Sequence, residues 1–243
     1  MFFSHLLILG LRHPFTERAI HLMRKCHLRV LFVGILFLCF SCALLTKTHR
    51  ASPWYQPKEF GKLPQVSLSG KKIVIDPEFG GAEPGGINGD GIRASDGNRK
   101  IAAAVAGLLR RCGGEVALAR QEDHTVHATE RVAVAENFGA DVYIVVRTDS
   151  VRNIPYISFL PGSVPGQKIA EKLARQWRKA SGDSVAVLEE HNFTMQHTRC
   201  PAVTLSLNSL HSPDPMNYSH FRKIAETVLG GVIDYFLDMP ESQ

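Results

Sequence analysis

The chain has 243 residues, 44% of them hydrophobic and 21% charged. These are the proportions of a globular protein of one domain with an appendage, and they exclude a disordered or fibrous chain. Of the 28 Lys and Arg and 23 Asp and Glu, residues 1–50 hold seven basic side chains and Glu17 alone, leaving 21 basic and 22 acidic residues for 51–243. The net charge of +5 therefore belongs to the N-terminal segment, and the remainder gives no footing for nucleic-acid binding.

Residues 1–29 read as a basic cytoplasmic segment. Val30–Leu45 is apolar apart from Ser41 and follows Arg24, Lys25 and Arg29. It is somewhat short against the roughly 20 residues of a spanning helix. With the basic flank held inside, it exports the remainder of the chain. Residues 30–46 are read as an uncleaved signal anchor that associates the chain with a membrane. The alternative is a start at Met23, with the same run as the apolar region of a leader cleaved near Ser41-Cys42-Ala43. Cys26, Cys39 and Cys42 fall in this segment, so only Cys112 and Cys200 belong to the domain. An exported pair permits a disulfide, and two isolated thiols are the other reading.

Residues 47–70, with Pro53, Pro57 and Pro64, are expected to be a linker. From Lys71 strands and helices alternate. Ile73–Ile75 is a short apolar strand that ends at Asp76-Pro77 and opens into a loop with Gly80, Gly81, Gly85, Gly86, Gly89 and Gly91. A helix over Asp96–Arg111 carries Ile101, Ala104, Val105, Leu108 and Leu109 on one stripe, and Gly113-Gly114 ends it. Further strands are expected at Glu115–Arg120, Asp141–Val146, Ile154–Leu160, Ser184–Leu188 and Pro201–Leu207. Further helices are expected at Thr129–Phe138, Pro165–Lys179 and Asn217–Leu237, the last with a wide apolar stripe. This alternation predicts one three-layer α/β domain over 71–243, a mostly parallel sheet flanked by helices. A strand that stops in a glycine-rich loop places that loop at the carboxyl edge of the sheet, where such folds build their sites.

The stretch Lys71-Lys-Ile-Val-Ile-Asp-Pro-Glu-Phe-Gly-Gly81 resembles the opening of the zinc-dependent N-acetylmuramoyl-L-alanine amidases of bacterial cell walls. There the loop reads Asp-Pro-Gly-His-Gly-Gly and its histidine binds the metal. The resemblance continues through Arg120 and Asp123 after the second strand, Arg131 and Asn137 on the next helix, Asp141–Val146, and Pro201–Asn208. It implies a zinc held by two histidines and a glutamate, with a second glutamate as base. At those four positions this chain carries Phe79, Ala94, Arg147 and Ser206. The expectation is therefore a vestigial site with no catalytic or metal-binding residue and no zinc or other cofactor.

His124, His127, His191, His197, His211 and His220 could replace the missing ligands, as could Glu78 and Glu83, but they show no recognisable ligand spacing. Asp76 is expected to cap its loop through backbone amides, and Asp96 to be a helix N-cap. Arg147 and Arg93 are candidate binders of a peptide carboxylate. Against that, Arg147 is expected to form an internal ion pair with Asp149, Glu78 or Asp96. The sequence thus points to an exported, non-catalytic, amidase-like domain on the outer side of the inner membrane, in the bacterial cell envelope. Its expected partner is peptidoglycan stem peptide or an envelope protein. A scaffold for envelope proteins and an active amidase with a rebuilt zinc site are the alternatives.

Overall fold

The structure, a computed structural model, describes residues 66–148, 154–207 and 218–239. The expected basic segment and anchor at 1–46, together with His211 and Asp149, lie outside the described residues. None of the described helices is long and apolar enough to cross a membrane.

The elements run β1 (Lys72–Pro77), α1 (Ala94–Arg111), β2 (Glu115–Leu118), α2 (Ala128–Phe138), β3 (Val142–Thr148) and β4 (Tyr156–Phe159). They continue as α3 (Val164–Ser181), β5 (Ala186–Glu189), α4 (Phe193–His197), β6 (Ala202–Leu207) and α5 (Tyr218–Leu237). Six strands form one sheet in the order β2-β1-β3-β6-β4-β5. All neighbouring pairs are parallel except β4 with β6. The predicted α/β architecture with a mostly parallel sheet is thus observed.

Alternation along the strands sorts their side chains onto two unlike faces. Ile73, Ile75, Ile144, Val146, Val203, Leu205, Leu207, Ile157 and Phe159 join the main apolar core with residues of α1, α3 and α5. The opposite face carries Val74, Tyr143, Val145 and Ala202 in a smaller cluster packed with α2 and Met195 of α4. Its positions nearer the carboxyl edge are polar: Asp76, Arg147, Thr204, Ser206 and Ser158. Burying that second face is what the short helix α4 does, and no sequence signal predicted it. Met195 is buried beneath Thr204, whose Oγ1 lies 4.0 Å from the Met195 sulfur.

Several boundaries move. Helix α1 begins at Ala94, two residues before the expected start, with Arg93 extended at φ −83° and ψ 141° as its cap. Asp96 therefore sits within the first turn and is not the N-cap. A carboxylate there still favours the positive end of the helix dipole. Strands β2 and β4 are shorter than expected, and β5 starts two residues later. The expected linker over 47–70 overlaps the packed domain, because Leu68 is 1% exposed and its amide donates to the Cys112 carbonyl at 2.7 Å. Cys112 and Cys200 are both free thiols, so the disulfide reading is not met.

Candidate functional site at the carboxyl edge of the sheet

The loop after β1 is held by three buried side chains, from α2, from α1 and from the segment that follows β2. Arg131 of α2 donates to the carbonyls of Pro77 (3.1 Å) and Phe79 (3.2 Å), and its Nε to that of Val126 (3.0 Å). Asn98 of α1 donates to the Glu78 carbonyl at 3.1 Å. Arg120, 1% exposed, reaches the carbonyls of Pro77, Glu122 and Ser95. With the carbonyls of Pro77, Glu78 and Phe79 taken by fixed donors, the start of the loop is held to one backbone course, and a buried carbonyl without a donor would be costly.

Asp76 supplies the counter-charge. Its side chain accepts from Arg131 and, at 2.6 Å, from the Tyr143 hydroxyl. Asp76 is 1% exposed. The expectation that it caps the loop through backbone amides is wrong: its carboxylate points to the buried guanidinium, which in turn holds the loop. Burial, and then the neighbouring Asp76 charge, pushes the Tyr143 phenol well above its ordinary value. Burial likewise lowers the pKa of Arg120, with Arg131 nearby adding to the effect.

Phe79 emerges from this braced loop with φ 66°, a left-handed conformation that a bulky residue adopts only when its surroundings impose it. Its ring packs on Gly85. A Cβ added to Gly85 would stand 2.5 Å from a Phe79 ring carbon and 2.9 Å from the Ala94 methyl. Phe79 and Ala94, far apart in sequence, therefore meet across one glycine. Ala94 is fully buried, its amide donating to Gly86 at 2.7 Å.

Arg147 and Ser206 are cross-strand partners near the ends of β3 and β6. One residue beyond the last β1–β3 pair, the Glu78 amide donates to the Val146 carbonyl at 3.0 Å, which brings Glu78 beside Arg147. The Arg147 guanidinium is forked onto the Glu78 carboxylate through Nε and Nη2, the latter at 3.0 Å. Its Nη1 donates to Glu190 Oε1 at 2.9 Å. The other oxygen of Glu190 accepts from the Ser158 hydroxyl of β4. Burial opposes the charge on Arg147, but the two carboxylates more than offset it and hold its pKa above the usual range. Ser206 is 1% exposed and its hydroxyl finds no hydrogen-bond partner among the described residues.

Of the three partners considered for Arg147, the structure provides Glu78. Asp96 is taken by Arg93, which donates to it at 2.9 and 3.2 Å and to Asp123 at 2.8 Å. Asp123 also accepts from the Gly81 amide at 2.9 Å, so Arg93 closes the outer part of the same loop. Sequence reading missed Glu190, Ser158, Asn98 and Tyr143. The available signal for Glu190 was only a carboxylate immediately after a strand, and β5 runs antiparallel to β1 and β3, so strand order alone would not bring it to Arg147. Nothing comparable marks Asn98, which reaches the site through helix packing.

The histidines do not converge here. His127 is the cap residue of α2, its amide donating to Glu130 at 3.1 Å. His191 pairs with Gln196, and His197 stacks on Phe193 with ring centroids 4.1 Å apart. Glu83 contributes its backbone, which exchanges two hydrogen bonds with Gly80. Among the described residues no group of three or more His, Cys, Asp or Glu side chains is placed to hold a metal.

Residues 73–234 match the model of the Amidase_3 family, described as N-acetylmuramoyl-L-alanine amidase. Among curated proteins the chain is similar to N-acetylmuramoyl-L-alanine amidase AmiA of Escherichia coli, 32% identical over 92 residues. That stretch is 37% of this chain and 32% of the relative, so the likeness spans about a third of the relative's length. Among solved structures it is similar to an N-acetylmuramoyl-L-alanine amidase from Clostridium difficile 630, with TM-score 0.64 and 19% identity, covering 72% of this chain and 100% of that one. It is also similar to the CwlD amidase of Clostridioides difficile, solved in complex with the GerS lipoprotein, with TM-score 0.63 and 16% identity over 69% and 98% of the two chains. At these identities the structural likeness shows the shared fold. The sheet order, the braced loop after β1 and a family match running from β1 into α5 lead to one assignment: the chain belongs to the N-acetylmuramoyl-L-alanine amidase family.

Proposed function

We propose that this chain is an exported, non-catalytic member of its family that works in the bacterial cell envelope by binding. Its target is peptidoglycan stem peptide or an envelope protein. The observation that carries the reading is Arg147, clamped between Glu78 and Glu190 in the middle of the carboxyl edge.

Zinc does not fit the side chains at the four positions implied by the resemblance. A catalytic zinc takes three protein donors of N, S or O type and leaves one place for water. Phe79 and Ala94 offer carbon. Arg147 has no acceptor and a permanent charge. Ser206 is a buried neutral hydroxyl in place of a carboxylate base. On this reading the four are vestigial, and the membrane association and outer location follow from the leader at 30–46.

Direct capture of a peptide carboxylate by Arg147 would require the ligand to displace two carboxylates already seated on it. Arg93, paired at the loop surface with a side chain 35% exposed, is the more accessible of the two arginines. The complex of the similar CwlD amidase with a lipoprotein supports protein partners as a second target class.

The test is elemental analysis of the purified protein without added metal, beside hydrolysis and co-sedimentation assays on purified peptidoglycan. The expected result is less than a tenth of a zinc per chain, no amide hydrolysis, and sedimentation that weakens in Arg93→Ala. One zinc per chain with hydrolysis would overturn the reading and restore the active amidase. No zinc and no sedimentation would leave the envelope protein as the target.

A further inference from the structure

Arg99, in the second turn of α1, lacks the pairing that holds its neighbours. Its side chain is 18% exposed, and its Nε, shut off from water, has no hydrogen-bond partner among the described residues. Its ion pair there is loose: Nη2 stands 3.9 Å from Asp96 Oδ1. Both Asp96 oxygens already accept from Arg93, at 2.9 and 3.2 Å. One turn earlier, Ser95 is fully buried and its hydroxyl also has no partner among the described residues. The i, i+4 spacing puts these two orphaned groups side by side. Arg110, about three turns further along the same row, is satisfied, donating to the Val116 carbonyl of β2 at 2.6 Å.

We propose that Arg99 and Ser95 form an anion site on the β2-facing row of α1, beside the loop after β1, and that its ligand is the carboxylate of a peptide. This rests on the proposed function, which names stem peptide as one target, and gives that target an anchor other than the paired Arg93 and Arg147.

A guanidinium withdrawn from water without a full counter-charge is costly, and an oxyanion seated on it removes that cost. The surroundings are positive. Arg120, 1% exposed, reaches the Ser95 carbonyl at 3.1 Å and donates only to carbonyls; burial, Arg131 and, more weakly, Arg99 all disfavour its charge. Arg93, Arg99 and Arg120 face Asp96 and Asp123, three positive charges against two negative, so one positive charge is unmatched. The corner also lies near the positive end of the α1 dipole. That surplus of one suits a carboxylate better than a phosphate dianion, which Asp96 would repel. A carboxylate accepts two N–H groups of a guanidinium at once, and the Ser95 hydroxyl is a third donor. The Ser95 amide donates to the Pro84 carbonyl at 3.0 Å, so the backbone of the site is fixed to the loop. A helical side chain leans over the turn before its own, so Arg99 lies across Ser95. Swinging outward onto a ligand, Arg99 uncovers the hydroxyl.

The experiment melts the wild-type protein, Arg99→Gln and Ser95→Ala at matched ionic strength with three probes. These are acetyl-alanyl-alanine with a free carboxylate, the same dipeptide as its amide, and inorganic phosphate. At a carboxylate concentration about ten times its dissociation constant, wild type should melt roughly 3–5 °C higher, and the amide should have no effect. Arg99→Gln should abolish the rise and sediment less with purified peptidoglycan. Without probe it should melt within roughly 3 °C of wild type, because the charge it removes has no firm partner. Ser95→Ala should weaken carboxylate binding about tenfold. A rise that persists in Arg99→Gln overturns the site. So does an Arg99→Gln chain that fails to fold or melts more than about 10 °C lower, since Arg99 would then have a firm structural partner. A phosphate response equal to that of the carboxylate overturns the peptide as ligand. If wild type ignores the carboxylate yet sediments with peptidoglycan, the site falls and the proposed function stands. If it does neither, stem peptide is struck as the target as well.

Discussion

Replacing Asp76 with alanine tests whether the loop after β1 is held from below by a buried charge pair. The change removes the one carboxylate that Arg131 and Tyr143 share, in a site 1% exposed to water. Arg131 stays where it is, because its other N–H groups are committed to the carbonyls of Pro77, Phe79 and Val126. The result is a buried guanidinium with no counter-charge, for which removal of one partner costs about 3–5 kcal/mol. The Tyr143 hydroxyl loses its acceptor in the same step, a loss that overlaps the first and brings the total to about 5 kcal/mol. For a domain of this size that is a fall of roughly 10–20 °C in melting temperature. Tyr143→Phe removes only the bond to the carboxylate and should cost about 2 kcal/mol. The double change should cost no more than Asp76→Ala alone, because the tyrosine's interaction is already gone. Urea unfolding followed by circular dichroism gives all three values. Strict additivity of the two single changes, or an Asp76→Ala loss within about 1 kcal/mol of wild type, would refute the reasoning, since both require the residues not to share a buried network.

Gly85→Ala should destabilise by about 2 kcal/mol or more, because the added methyl meets the Phe79 ring and the Ala94 methyl at a residue with φ 71°. Replacing Phe79 by glycine in the same chain should recover part of that loss in chemical unfolding. Burial pushes the Cys200 thiol up to about 11. Native protein should therefore react with a disulfide reagent at pH 8 much more slowly than urea-unfolded protein. Stability carries the same sign. The folded thiol stays protonated where the unfolded one, near 9, ionises, so its contribution is complete below pH 9 and is lost between about 9 and 11. Equal labelling rates in the folded and unfolded states would contradict this.

The alternation of short apolar runs with helical stripes is enough to give the sheet, its parallel character and the position of the glycine-rich loop at the strand ends. Periodicity reports which face of an element is buried, and in this fold the large core lies on one face of the sheet, with α1, α3 and α5. The second face is small and part polar, so α4 leaves no periodic signal and the sequence pattern puts the start of α1 two residues late. The likeness to the amidases is also legible in local sequence; the resemblance singles out Phe79, Ala94, Arg147 and Ser206 for attention. Their company is not legible there. Glu78 is visible as a neighbour of Phe79, but its pairing with Arg147 depends on the β1–β3 register. Glu190 joins although β5 stands three places along the sheet from β3 and runs antiparallel to it, because its side chain meets Arg147 on the face that Ser158 shares. Sequence by itself determined which side chains could carry charge or hold metal and in what order the elements would come. The tertiary structure alone decided which charges meet, that Asp76 faces Arg131 and not its own loop, and that Arg147 is enclosed by two carboxylates. Ion pairing depends on distances of a few ångströms between groups tens of residues apart, and only the packed sheet sets them.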